Sequence, residues 1–221
     1  LAERVARLLR RGIGGGPVVV VRAHGSTPDP HAFEGLLTAS DPIPESGPLI
    51  GLLAGLEALA GRAASAVVVP CDLPLLHPAV VKTMADALLA KGTAAQAALP
   101  VAPDGRVLPL PGVWSTGVIA RLRAEVDRGE RSPARVARSL QHVALPVESL
   151  AELPDVAHFD PELLSLRDVD SPEDLEALLE SPPRVRLSRD GRITTPTAWT
   201  LGSLTAATGG DPEGPCVLNG L

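Results

Sequence analysis

Aromatic side chains make up 2% of the 221 residues, and tyrosine is missing altogether. A core must therefore be built from Ala, Val and Leu, with few rings left over to stack on bases. Lys and Arg are outnumbered by Asp and Glu, for a formal charge of -6. A sequence-independent grip on nucleic acid depends on neutralising phosphates with Lys and Arg, so a nucleic-acid reader is not expected. Cysteine is limited to Cys71 and Cys216. The two lie far apart in segments that read as different domains, so no disulfide framework is expected and a reducing cytoplasm fits. There is no run of about 18 apolar residues of the kind that spans a membrane, and no charged-then-apolar leader is read at the opening. The five histidines show no ligand spacing, which argues against a zinc site.

What is present suits a globular protein: 45% of the residues are hydrophobic and 21% charged, and the length allows one large domain with a small appendage. Leu1, Val5, Leu8 and Leu9 recur at helical spacing between arginines, and Gly12 stops that helix. Pro17 to Arg22 is a short β-branched run without polar alternation, the mark of a strand covered on both faces in a parallel sheet. A weak strand at 35–38, an apolar helix at 49–60, a buried strand at 65–70 and a helix at 77–91 continue the alternation. Asp104-Gly105 favours a hairpin between 94–102 and 106–110, hence a local antiparallel excursion. Helices near 115–128 and 132–140 and closing strands at 142–147 and 163–168 follow, and Ser171-Pro172-Glu173-Asp174 opens a last helix with a cap and Pro at its first position. The pattern predicts an α/β fold with a doubly wound, mostly parallel Rossmann-like sheet over 1–180. After the break at Ser181-Pro182-Pro183, residues 184–221 read as a small ββαβ appendage: two strands around Asp190-Gly191, a helix near 200–208 and a strand at 215–218.

Three stretches carry candidate chemistry. In AVVVPCDLPLL (66–76) a buried strand delivers Asp72 to its carboxyl end, where open α/β sheets place ligands, and an aspartate there can hold Mg²⁺ against nucleotide phosphates. The same residues suit a turn before the helix at His77. Cys71 beside it reads as a small buried residue rather than a nucleophile, since no cationic partner is visible. Residues 45–51, ESGPLIG, open a helix, and their glycines and free amide groups suit an electron-rich ligand; they equally suit an ordinary loop with Pro in the first helical turn. Asp41, six residues before Gly47, ends a strand and would face the same cleft, although such aspartates commonly form turns. Asp168 and Asp170 point oppositely if extended, so one of them can face a cleft, but as a capping motif the stretch is satisfied without any ligand. Arg121, Arg123, Arg128 and Arg131 form a basic set that reads as a solvated helix face.

GPLIGLLAGLEAL (47–59), VVVPCDLPLL (67–76), LPLPGVW (108–114), GERS (129–132) and DVDSPEDLEAL (168–178) stand in the order and at the approximate spacings of molybdenum cofactor guanylyltransferases, and residues 1–180 resemble that family. One such motif is a weak signal; five in register are a much stronger one. The resemblance implies a Rossmann-like nucleotidyltransferase that joins the GMP part of GTP to the terminal phosphate of molybdopterin and releases pyrophosphate. It implies Asp72 as an Mg²⁺ ligand, Asp41 as a nucleotide contact, and Gly47 and Pro48 against the guanine nucleotide. Asp170 stands where many relatives carry Asn and others carry an Asp that serves as a second metal ligand. GTP, molybdopterin and the molybdenum cofactor enzymes or chaperones that receive the product are the implied partners. A cytidylyl- or guanylyltransferase for another small phosphorylated acceptor, or a non-catalytic delivery module that binds pterin, are the competing readings.

The family opens with a strand, a glycine-rich loop with an Arg and a following Lys, none of which precedes Leu1. The run at 12–16 follows a helix and precedes a strand, the reverse of the order that aims amides at phosphate, and reads as a plain loop. A chain that opens on Leu1 in mid-helix and whose sole methionine is Met84 reads as lacking its first segment, so weak GTP binding and no transfer are expected of it. Residues 197–204 and 216–220 resemble the first half of a β-grasp sulfur carrier, without the C-terminal Gly-Gly through which such carriers act; an unrelated extension is the alternative.

Overall fold

In a computed structural model, residues 2–12, 16–26, 33–42, 44, 47–180, 187–189, 192–194, 196 and 197 are described. They fall into two compact units, Leu1–Asp168 and Val169–Leu221. The Ser181-Pro182-Pro183 break lies outside the described residues, as does the middle of the 12–16 glycine run.

The first unit alternates helices and strands. Helix α1 (Ala2–Gly12) buries Val5 and Ala6 and leaves Arg4, Arg7 and Arg10 exposed, as its periodicity requires. Strands β1 (Val19–Arg22) and β2 (Leu37–Ser40) pair in parallel, from Val19 opposite Leu37 to Arg22 opposite Ser40. Each residue of β1 is half-buried rather than enclosed. Helix α2 (Pro48–Leu59) lies against β1 and β2. It is apolar nearly all round, and Leu49, Ile50, Leu52, Leu53, Leu56 and Leu59 are buried.

A second sheet has the order β3-β5-β4-β6, made of Ser65–Val68, Gly112–Ser115, Ala97–Val101 and His142–Pro146. Strand β5 runs antiparallel to both β3 and β4, and β4 is parallel to β6, so three of the four strands share one direction. Successive side chains of a strand face opposite ways, and the two faces meet different helices. Ala66, Ala97, Leu99 and Trp114 join α2, α4 (Ile119–Asp127) and α5 (Pro133–Ser139) in one core. Ala98 and Val113 join α3 (Pro78–Lys91), α6 (Val147–Glu152) and α7 (Pro154–Phe159) in the other. This three-layer α/β arrangement is the expected fold class.

One local expectation holds in shortened form and another is corrected. The hairpin around Asp104-Gly105 forms at residues 100–108, where Val101 bridges Val107 antiparallel, the Ala102 amide donates to the Arg106 carbonyl and the Leu108 amide to the Pro100 carbonyl, both at 2.9 Å. The chain then runs on to a longer antiparallel strand, β5, which pairs Trp114 with Ala97 and Val113 with Ala98. The closing strand expected at 163–168 is instead a 3₁₀ turn over Leu164–Leu166. The Asp160 carboxylate captures the amides of Leu164 at 2.8 Å and Ser165 at 3.0 Å, which bends the backbone away from an extended ladder.

In the second unit, α8 (Pro172–Glu180) begins at a reciprocal cap: Ser171 Oγ accepts from the Asp174 amide at 3.1 Å, and Asp174 Oδ2 accepts from the Ser171 amide at 3.0 Å. Strands β7 (Leu187–Arg189) and β8 (Arg192–Thr194) form the antiparallel pair read around Asp190-Gly191. The expected helix near 200–208 and strand at 215–218 lie outside the described residues. Among the described residues, no helix is long and apolar enough to cross a membrane.

Candidate functional site

Strand β3 ends at Val68, and after Val69 and Pro70 the chain turns at Cys71 and Asp72 before α3 begins. Asp72 is half-buried, with its Oδ1 withdrawn from solvent. Cys71 is exposed, contrary to the buried position expected of it, because the turn swings it off the sheet. The loop that follows is held from several sides. Leu73 and Leu76 are buried in a cluster with Val5 of α1 and Val81 of α3. From α1, Arg4 Nε donates to the Pro74 carbonyl at 2.8 Å. His77 caps α3, its Nδ1 accepting from the Ala79 amide at 3.1 Å, with Pro78 in the first turn. Burial lowers the His77 pKa below its usual 6.5, against the opposing pull of the nearby Asp160 charge.

The start of α2 is built differently. Gly47 precedes Pro48 with φ of 80°, a region that L side chains avoid. A Cβ on Gly47 would stand 3.3 Å from the Arg131 carbonyl, and the Leu49 amide donates to that same carbonyl at 3.4 Å. Glu130 fixes the Arg131 segment, since its Oε1 accepts from the amides of Ser132 and Arg131, both at 2.8 Å. Those two bonds, the Ser132 one first, lower the Glu130 pKa below its usual 4.5. The other glycines of this helix serve packing: a Cβ would lie 3.9 Å from Val21 at Gly51 and 3.1 Å from Val21 at Gly55, so α2 sits close on β1.

Asp41 follows β2 directly, with its amide donating to the Arg22 carbonyl at 2.8 Å, and is half-buried. Because α2 lies against β1, β2 and β3, Asp41, Gly47 and Pro48 belong to one strand-to-helix connection, and Asp72 to the end of the next strand under the same helix. Gly47 and Pro48 are exposed. Asp170 is exposed in the second unit, where the Ser171–Asp174 cap beside it is satisfied within the chain. The four arginines of the basic set are exposed, and each is engaged by the protein: Arg121 by Ser139, Arg123 by Glu57, Arg128 by Glu125, and Arg131 by the carbonyls of Val126 and Glu130.

Among the described residues, no group of three or more His, Cys, Asp or Glu is placed to hold a metal. That donor set still fits Mg²⁺ in one particular way, since this ion is commonly bound by one or two carboxylates with the remaining ligands drawn from substrate phosphates and water. Asp72, a single half-buried carboxylate on the loop after β3, could supply such a share.

His77, Asp160, Ser165 and Glu130 orient the two loops, roles that their sequence positions, His77 apart, do not announce. Pro78 marked His77 as the cap residue, because Pro favours the first helical position; Asp160 carried no comparable local signal.

The layered α/β unit is consistent with a Rossmann-like nucleotidyltransferase fold. Residues 1–144 match the family described as "MobA-like NTP transferase domain", and the chain belongs to that family. It is 29% identical over 139 residues to the "Probable molybdenum cofactor guanylyltransferase" of Methanosarcina mazei, covering 63% of this chain and 57% of that one. It is 31% identical over 137 residues to the protein of the same name in Methanothermobacter thermautotrophicus, covering 62% of this chain and 63% of that one. The chain thus spans about three fifths of the length of these curated relatives. The crystal structure of molybdopterin-guanine dinucleotide biosynthesis protein A from Archaeoglobus fulgidus has the same fold, with a TM-score of 0.52 at 23% identity, covering 64% of this chain and 66% of that one.

Proposed function

We propose that this protein transfers GMP from GTP to molybdenum-bound molybdopterin, forming the guanine dinucleotide cofactor. The observation that carries the reading is the family match over residues 1–144, and the Asp72 loop beyond β3 supports it. A terminal phosphate oxygen of the acceptor attacks the α-phosphorus of GTP. The bond between that phosphorus and the bridging oxygen to the β-phosphate breaks, and pyrophosphate leaves with the bonding pair. A divalent cation, when bound, offsets the charge of two anions that otherwise repel. The protein's own part is placement: Asp72 holds the cation side of the triphosphate, while Asp41 and the Gly47–Pro48 helix start receive the nucleoside, with the helix dipole turned toward its electron-rich groups. The reaction belongs in the reducing cytoplasm, with the product handed to molybdenum cofactor enzymes or their chaperones.

The test is a transfer assay on the full natural chain with molybdenum-molybdopterin, Mg²⁺ and either GTP or CTP, followed by pyrophosphate release. GTP turnover, reduced at least about a hundredfold by Asp72→Asn, is the expected result. Transfer from CTP alone would assign the cytidylyl relative instead. Pterin binding without any transfer would make the protein a delivery module.

A further inference from the structure

Among the described residues, two polar residues are buried, Asp160 and Ser165, and they sit in one turn at the end of the first unit. A buried carboxylate is costly unless its oxygens are hydrogen-bonded, and here both are used: Oδ1 accepts from the Leu164 amide and Oδ2 from the Ser165 amide. The turn also holds Leu163 at φ of 49°, a left-handed conformation that non-glycine residues seldom adopt. What this arrangement orients is the Ser165 hydroxyl. It accepts from the His77 amide at 2.7 Å and donates to the Leu75 carbonyl at 3.4 Å, reaching across 88 and 90 residues of sequence. Phe159, beside Asp160, stacks on the His77 ring with centroids 5.1 Å apart and planes inclined by 16°.

The apolar packing of α7 on α3, through Val156 against Val80, Met84 and Leu88, already provides burial. Hydrogen bonds add direction instead: they fix the backbone of residues 75 and 77, while Arg4 fixes residue 74 from the side of α1. Asp72 is thereby presented on a loop whose far half is tied down at three consecutive peptide groups. We propose that Asp160 and Ser165 are positioning residues for the 71–77 loop, and through it for Asp72. The proposal rests on the reading of Asp72 as the ligand of a metal-bound nucleotide. Neither residue touches the nucleotide; they act through the loop, as groups behind a metal ligand do when they set its orientation.

Ser165→Ala in the full chain tests this with two readouts taken well below its melting temperature: amide hydrogen exchange over residues 71–77, and affinity for GTP with Mn²⁺ as the probe ion. The expected result is faster exchange confined to that loop, with affinity weakened about tenfold. Asp160→Asn keeps one carbonyl acceptor but turns its NH2 on the second turn amide, so it should give the same loop-confined pattern by an independent route, which keeps the test valid if the alanine variant folds poorly. Exchange and affinity both at the parent value would overturn the proposal, as would accelerated exchange with unchanged affinity in a chain whose Asp72→Asn variant does lose affinity. If Asp72→Asn binds Mn²⁺ and GTP as the parent does while Ser165→Ala still loosens the loop and weakens binding, the brace stands and the metal role of Asp72 falls.

Discussion

The two connections that carry the candidate site are held by opposite means. The 71–77 loop is fixed by side chains reaching in from elsewhere: Arg4 to Pro74, Ser165 to Leu75 and His77, and Leu73 and Leu76 in an apolar cluster with Val5 and Val81. The start of α2 is fixed by backbone meeting backbone, where Gly47 lacks a Cβ and the Arg131 carbonyl comes close enough to accept the Leu49 amide. A loop that presents a carboxylate needs its direction set, and directional bonds do that. At the helix start the missing side chain instead lets a second backbone segment come within hydrogen-bond reach of the first turn, where the Leu49 amide is taken by Arg131 and the Ile50 amide by Gly47.

The contrast should break most visibly at Leu76. Truncating this buried side chain, 4% exposed, to Ala removes apolar contact and leaves a cavity, so a loss of about 2–5 kcal/mol is expected in urea unfolding. Gly47→Ala should cost about 1–3 kcal/mol, from a left-handed backbone and a crowded Arg131 carbonyl, and should weaken nucleotide binding without speeding exchange in the 71–77 loop. His77→Ala removes the α3 cap and should cost about 1 kcal/mol.

Acid separates the two connections further. The folded protein keeps His77 neutral below its ordinary pKa of 6.5, while the unfolded chain takes up a proton there. Stability from this group is therefore complete above about pH 6.5 and is lost as pH falls toward the lowered folded value. The charge of Asp160 softens this loss, and Phe159 and Ser165 are the other groups packed about the ring and its backbone. For Glu130 the folded pKa lies below the usual 4.5, so its contribution is present above that value and is lost only as pH drops through the folded pKa. A pH series of melting temperatures should show the first limb disappear in His77→Ala and the second in Glu130→Gln, the latter being the smaller effect because Glu130 meets solvent.

The order of strands and helices was legible because each element carries its own period: the arginine-spaced stripe of α1, the β-branched run of β1, the cap before α8. Asp72 and Gly47 were legible for the same reason, as a strand terminus and a helix start. What escaped notice depended on partners distant in sequence. LLSLRD at 163–168 has the composition of a strand, but the Asp160 carboxylate takes the amides that a ladder would need. Asp104-Gly105 is a correct local turn signal, and Val107 does meet Val101 across it. The longer pairing lies at 112–115, where Val113 and Trp114 face opposite cores, and no local signal marks it. Cys71 is exposed although it follows a buried run, because the turn after Pro70, which the local sequence does not specify, carries it to the surface.

Gly112 shows how far such closeness can go. A Cβ there would lie 2.6 Å from a Leu99 methyl carbon and 2.7 Å from the Pro109 carbonyl oxygen, in the strand that places Trp114 against the sheet. The methyl group of Leu99 can swing aside, but a peptide oxygen cannot do so without carrying its neighbours, among them the bond from Trp114 Nε1 to that same oxygen at 3.1 Å. In a saturation library selected for folded protein, codon 112 should come back as a single surviving letter, a silent spot in the interior that no inspection of surface chemistry would single out.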